Sequence, residues 1–354
     1  MGQDLEAAIA RNLAFWRGEQ TDRPLVGVYV GGYLSAEIYL VAQEGDLLQP
    51  HQLAPERFFD LFAERCEAAE RLDQDLIRPV SPPHSVPWLE AILGCPIRVG
   101  AQAVWAEPLL TEDEPLEALE IARSEAWLEV AVEFVRALVE QFDGRFPVAG
   151  PFLRGPADVI AAMIGTERMC YEFYEHPQQM HCLAHLCAEA WIEVARLIYE
   201  YIPSYRGGYV DDGRWLYSPD RCYYSSEDVT SIISPAMYHK FFLPYNQMIA
   251  RTFPYGFIHR HSVSAHHLTA LLDLEAPWAI EVTMDPIGPS VSEMLPIFQQ
   301  IQEHGRPLIV FGLNEEDDVA ELVSNLSPRG LCIFMQADTE EQAEALLAVA
   351  KRTE

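Results

Sequence analysis

Positive charge is scarce in this chain. Of 354 residues, 24 are Lys or Arg and 54 are Asp or Glu, a formal net charge of −30. A surface that acidic repels phosphate backbones and anionic headgroups, which argues against nucleic acid or a membrane surface as partner. Long apolar runs are missing too, and none approaches the length that spans a bilayer. The stretch Met1–Glu6 lacks the basic segment and apolar core of a signal peptide, and Glu6 stands where a myristoylation signal wants Ser or Thr. Cysteine is sparse and odd in number. The seven (Cys66, Cys95, Cys170, Cys182, Cys187, Cys222, Cys332) are scattered, mostly inside apolar patterns, as in proteins of a reducing compartment. A cytoplasmic protein acting on a small molecule is the expectation.

What is present in quantity is core material, 49% of the chain being hydrophobic. The apolar runs are short and regularly spaced. Leu25–Val30 opens into Gly31-Gly32-Tyr33, and Asp75–Val80 and Phe146–Gly150 follow. Gly208–Asp211, Gly256–His261, Trp278–Thr283, Pro307–Gly312 and Leu331–Gln336 complete a set of eight. Each is followed by helical sequence, over 54–72, 117–142, 156–201, 234–251, 264–272, 290–304, 315–325 and 339–352. Strand–helix alternation without core hairpins predicts a parallel sheet, and eight units at this length predict an α/β fold closed as a (β/α)8 TIM barrel. Residues 1–24 read as an N-terminal helical addition. The Pro- and Trp-rich stretch 81–108 reads as an excursion with a small hairpin at 97–104, so 1–354 is one domain.

Chemistry in such a barrel sits at the carboxyl ends of the strands. There the stretch His259-Arg260-His261 stands out. Side chains alternate along an extended chain, so the two histidines share one face and Arg260 takes the other. Two imidazoles at a strand end can hold a divalent metal, or can simply be hydrogen-bonded polar groups lining a pocket. Other rim candidates are Tyr33, Arg154, Asp211, Asp212, Glu281, Asp285, Asn314, Gln336 and Asp338. The pair Asp211-Asp212 reads either as a proton-handling couple or as a turn. Tyr33 and Trp215, with Trp88 and Trp105, are candidate pocket aromatics, each equally at home in packing. His181 and His185, four apart on a helix, read as a solvated helix face.

Two segments carry a family resemblance. Gly150-Pro151-Phe152 with the apolar helix after it, and Ser234-Pro235 followed by Phe242-Leu243-Pro244-Tyr245, resemble segments of the uroporphyrinogen decarboxylase superfamily. The order of segments is similar over nearly the whole chain. The resemblance implies the same barrel and two candidate activities. Decarboxylases of the family grip a tetrapyrrole's carboxylates through arginines after the first strand, whereas Gly31–Ser35 contains none. The zinc methyltransferases, which move a methyl group between a corrinoid protein and a small acceptor, carry His-x-Cys after the fifth strand and a further Cys after the eighth. His259 and His261 lie at the first place, and Asp338 at the second.

The resemblance therefore implies a metal held by His259, His261 and Asp338, with Glu281 or Asp211 as a fourth ligand. Asp211 or Asp212 is expected to carry the proton, and Tyr33, Arg154 and Trp215 are expected to contact the cofactor. Zinc is the expected metal, methylcobalamin the expected methyl carrier, and a small corrinoid protein the expected partner. Cys332 reads as a core residue. A metal-free carboxy-lyase using Arg154, Arg214 or Arg260 as clamps, and a non-catalytic binding barrel, are the rival readings.

Overall fold

The computed structural model describes residues 2–31, 36–101, 103–111, 113–275 and 278–352. Its central sheet is parallel and six-stranded, made of β1 (Leu25–Val30), β2 (Cys222–Ser226), β3 (Tyr255–His261), β4 (Ala279–Thr283), β5 (Leu308–Phe311) and β6 (Leu331–Ala337). Spatial order is β1-β6-β5-β4-β3-β2, so β2 to β6 neighbour one another in sequence and the last pairs with the first. Two irregular segments close the remaining gap. Asp75 donates its N–H to Val26 (2.8 Å), Val80 bridges Val148, and Arg154 bridges Ser226. The sheet thus closes as a (β/α)8 barrel whose second and third staves are held by isolated bridges. Pro79, Pro147 and Pro151 fall in those staves and have no N–H to give a ladder.

Strands buried on both faces explain the continuous apolar runs. Phe257, Ile309, Phe311, Cys332 and Phe334 fill the barrel interior, while Val26, Ile258, Ile280 and Val310 pack outward beneath the helices. Cys332 is fully buried, as its place in the sequence pattern predicts, and burial pushes its thiol well above its ordinary range. A Cβ on Gly27 would lie 2.4 Å from Leu76, so glycine there lets the second stave lie against β1.

Three expectations are corrected. The fourth strand is not Gly208–Asp211; Tyr209–Val210 pairs antiparallel with Tyr217–Ser218, and the barrel strand is Cys222–Ser226. The helix expected from 117 begins at Glu125, where the Ser124 side chain caps it by accepting from the Trp127 N–H. The helix over 234–251 is two, Pro235–Phe241 and Leu243–Ala250, because Pro244 cannot donate back into the first. The excursion does hold a hairpin, Ile97–Val99 with Val104–Ala106, extended by Leu47–Leu48.

Behind the C-terminal ends of β2 and β3 lies a buried ion pair. Arg260, 1% exposed, gives Nη2 to Glu227 Oε2 (2.9 Å) and to the Tyr238 hydroxyl (2.7 Å). Its Nη1 donates to the His259 carbonyl (2.8 Å). Glu227 Oε1 accepts the Ala157 N–H (3.0 Å) at a helix N-terminus, and a Cβ on Gly155 would collide with the Glu227 side chain at 2.6 Å. The 3₁₀ turn Asp228–Ile232 that follows is tied down by His267, whose Nε2–H donates to the Thr230 (2.8 Å) and Ile233 (3.0 Å) carbonyls.

Glu227→Ala strands a buried guanidinium and lowers unfolding free energy in urea by about 3–5 kcal/mol. Glu340→Ala, which breaks the exposed pair with Arg71, costs about 1 kcal/mol or less. His267 is pushed down to about 4 by burial and by the charge of neighbouring His266 and Arg260. The unfolded chain therefore takes up this proton first, and stability falls as pH drops from about 6.5 toward 4. Melting temperatures at pH 7 and pH 4.5 differ less in His267→Gln than in the wild type.

Candidate metal centre

β3 delivers His259 and His261 to the inner face of the mouth, with ring centroids 4.8 Å apart, and turns Arg260 outward as alternation requires. Parallel register sets Glu281 of β4 directly beside His259, on the same face. The Glu281 carboxylate engages His259 Nδ1 in a short contact and takes Arg214 Nη2 at 3.1 Å on its other oxygen. One turn beyond β4, Asp285 Oδ1 meets His261 Nδ1 at 2.6 Å. Its Oδ2 is held by Ser262 Oγ (3.0 Å) and the Val263 N–H (3.1 Å).

With both Nδ1 atoms occupied by carboxylates, both Nε2 atoms face inward. They converge on Asp228 Oδ1, at 3.4 Å from His259 and 3.6 Å from His261. Asp228 lies two residues past β2, and Ser226 Oγ donates to the same oxygen (2.9 Å). Ligands bonded to a zinc at about 2.0–2.1 Å in tetrahedral geometry stand about 3.3 Å from one another, so the spacing fits one shared ion. Carboxylate–His–metal relays of this kind fix the tautomer and aim the ring.

The electrostatics agree with the geometry. Burial opposes charge on every member, but the partners outweigh it. The two imidazoles hold the Asp228 carboxyl well below its ordinary range. Glu281 and Asp228 raise His259, and Asp228 with Asp285 raises His261 to about 9. The carboxylates around the two imidazoles favour positive charge at their Nε2 side, which a divalent ion would also supply.

Of the three ligands expected first, one changes, and neither candidate for a fourth meets both imidazoles. Asp338 does not join the histidines. It follows β6, three places along the sheet from β3, and is exposed, its N–H bound to Gln342 Oε1 (2.9 Å). Among the described residues the third donor that meets both imidazoles is Asp228. Glu281 stands behind His259, in the position that orients a ligand. Asp211 is a turn organiser: Oδ1 accepts the Gly213 (2.9 Å) and Arg214 (2.6 Å) N–H groups, and Oδ2 that of Leu216 (2.7 Å). Burial and neighbouring Asp212 push its carboxyl up to about 7 against those amides. Asp212 instead reaches His84 Nδ1 at 3.2 Å.

A cavity of ≈ 380 Å³ opens over the three donors, with Phe152, Arg154, Tyr224, Thr283, Phe311 and His84 in its walls. His84, Phe152 and Tyr224 stack nearly parallel, with His84 and Phe152 4.4 Å apart. Arg154 is paired with Glu90, and Trp215 lies in a smaller neighbouring chamber. Tyr33 lies outside the described residues. His181 packs on Phe241 and hydrogen-bonds the Tyr245 hydroxyl, His185 pairs with Glu189, and Trp88 is fully buried.

Residues 8–201 match the profile of the uroporphyrinogen decarboxylase (URO-D) family. The chain belongs to that family. The matched stretch ends before Asp228, so the candidate metal ligands rest on the geometry and not on the match. Over 97% of this chain and 98% of the other, the fold is similar to a solved methyltransferase from Methanosarcina mazei, with a TM-score of 0.66 at 16% identity. An oxaloacetate acetylhydrolase solved with its product oxalate aligns with a TM-score of only 0.29 at 12% identity, over 62% of this chain and 75% of that one. No curated protein matches the sequence. Among the described residues no helix is long and apolar enough to cross a membrane.

Elemental analysis of purified protein dialysed against zinc separates the two ligand sets. Wild type and Asp338→Ala retain about one equivalent, while Asp228→Ala and His261→Ala lose it. Glu281→Gln weakens zinc affinity by about 10–100-fold. Zinc retained by Asp228→Ala and lost by Asp338→Ala would reverse the assignment.

Proposed function

We propose that this chain is a metal-dependent methyltransferase, moving a methyl group between a corrinoid carried by a small partner protein and a small acceptor. The observation that carries the reading is the meeting of His259 Nε2, His261 Nε2 and Asp228 Oδ1 beneath a cavity in a URO-D barrel. Those three would hold a divalent ion, Zn²⁺ foremost, as three-ligand catalytic sites with an open position do. An ion bound there supplies Lewis acidity, lowering the pKa of an acceptor's thiol or hydroxyl.

The chain's own groups divide the remaining work. Glu281 and Asp285 keep both imidazoles turned toward the cavity. His84, held by Asp212, faces the same space and receives the proton that the acceptor gives up. Phe152 and Tyr224 form an apolar wall that limits water. A cavity of ≈ 380 Å³ encloses a small acceptor and not a corrinoid, whose ring must lie across the open mouth; this favours a partner-borne methyl donor.

The carboxy-lyase reading depends on guanidinium clamps. Arg154, Arg214 and Arg260 are each committed to a glutamate, Glu90, Glu281 and Glu227 respectively, which weakens it. Zinc-loaded protein given methylcobalamin and a panel of thiols and folates is expected to demethylate the corrinoid. His84→Ala slows this by about 10²–10⁴-fold with zinc content unchanged. Absence of transfer to every acceptor, with CO2 release from a panel of carboxylates, would sink the proposal.

A further inference from the structure

Arginines are few in this acidic chain, and those at the mouth are almost all neutralised. Arg65 pairs with Glu37, Arg154 with Glu90, Arg214 with Glu281 and, behind the wall, Arg260 with Glu227. Arg78 differs. Among the described residues no carboxylate lies within ion-pair distance of it. Its guanidinium stands over two aromatic faces instead, 4.6 Å from the Trp215 ring and 5.1 Å from that of Tyr29. The two acids lining the same chamber are engaged elsewhere, Glu37 with Arg65 and Asp212 with His84. The Tyr29 hydroxyl also accepts from the guanidinium, but a neutral hydroxyl leaves its charge unbalanced and further N–H donors open to an anion. A largely buried cation without a counter-ion is costly, and at the edge of a cavity an anionic ligand supplies one.

The chamber beside Arg78 is small, ≈ 80 Å³, and walled by Pro79, Pro82, Trp215 and Phe334. It has room for a few non-hydrogen atoms and no more. His84 and Phe311 line both this chamber and the ≈ 380 Å³ cavity over the histidines, so one short ligand can occupy the two. We propose that Arg78 anchors the carboxylate tail of a short-chain substrate in the small chamber while the substrate's reacting end lies in the larger cavity. A planar carboxylate matches the two-pronged guanidinium fork, and the aromatic faces that hold Arg78 fix the plane of that fork. The inference rests on the larger cavity being the reaction site. It adds to that reading the substrate class, a short acid with its nucleophilic atom several bonds from the carboxylate. Arg78 is a binding residue here, and the carboxylate it holds is not the group that reacts.

Pentanoate and its uncharged isostere pentanamide test this directly by calorimetry on zinc-loaded protein. Wild type is expected to bind pentanoate about tenfold or more tightly than pentanamide, the difference between a charge-assisted and a neutral hydrogen-bonded pair. Arg78→Met is expected to bind the two alike. Equal affinities in wild type, or a pentanoate preference that survives Arg78→Met, overturns the proposal. Should Arg78→Met fail to fold, Arg78→Lys decides. A several-fold loss for pentanoate with pentanamide unchanged supports the fork, and unchanged pentanoate affinity overturns it. Zinc content on the same samples keeps the two readings apart. Preference for pentanoate without bound zinc supports the anion pocket against the metal centre, whereas zinc without preference overturns the pocket.

Discussion

Two carboxylate–imidazole contacts decide what this barrel can do. Left to itself, a histidine at a strand end rotates about two side-chain bonds and presents either nitrogen. Glu281 on His259 and Asp285 on His261 remove that freedom, each by occupying Nδ1. Both Nε2 lone pairs are thereby committed to one point, where Asp228 waits. The supports are themselves supported. Glu281 is steadied by Arg214 and Thr283, and Asp285 by Ser262 and the Val263 amide. A constellation held at this depth loses little entropy when it binds, which is what preorganisation means in energetic terms.

The same strand ends do a second job on their other face. Glu227 and Arg260 alternate with Asp228 and with the two histidines, so each ionic cluster is a consequence of the other's register. The outer pair is buried and ties β3 to β2, to the Tyr238 helix and to the N-terminus of the 156–164 helix. Sliding β3 by one residue would bring Arg260 into the cavity and bury both histidines against the helices. The buried pair therefore acts as a register lock, even though burying two charges adds little to net stability.

Much of the barrel was legible because its strands are buried on both faces and read as short apolar runs. The strand that carries the two histidines was legible for the opposite reason, since they interrupt such a run at its end. The fourth strand hid because Cys222-Tyr223-Tyr224-Ser225-Ser226 is half polar, while Gly208–Asp211 mimics a strand opening into a turn. Placing that strand too early moved the rim to Asp211 and concealed Asp228, so a fold-level slip of one segment became a missed candidate donor. Asp338 was favoured by family position, a criterion blind to where a side chain goes after the strand ends. His84 had no sequence signal at all. It sits in an irregular, proline-rich segment, and only contact with Asp212 and Phe152 marks it.

Exchanging thiolate ligands for imidazole and carboxylate changes the chemistry a site favours. Two thiolates donate enough charge to keep a bound thiolate reactive, at the expense of electrophilicity. A His-His-Asp set leaves the ion harder and more acidic, better suited to activating an oxygen or an otherwise weakly acidic thiol. Such a site gains from a base that accepts the displaced proton, and from an anchor that keeps the acceptor in place while its charge develops. On the reading proposed above, His84 with Asp212 would supply the first and Arg78 the second. On that reading the ligand exchange, the His–Asp pair and the arginine would serve one acceptor, at its reacting atom, its proton and its tail.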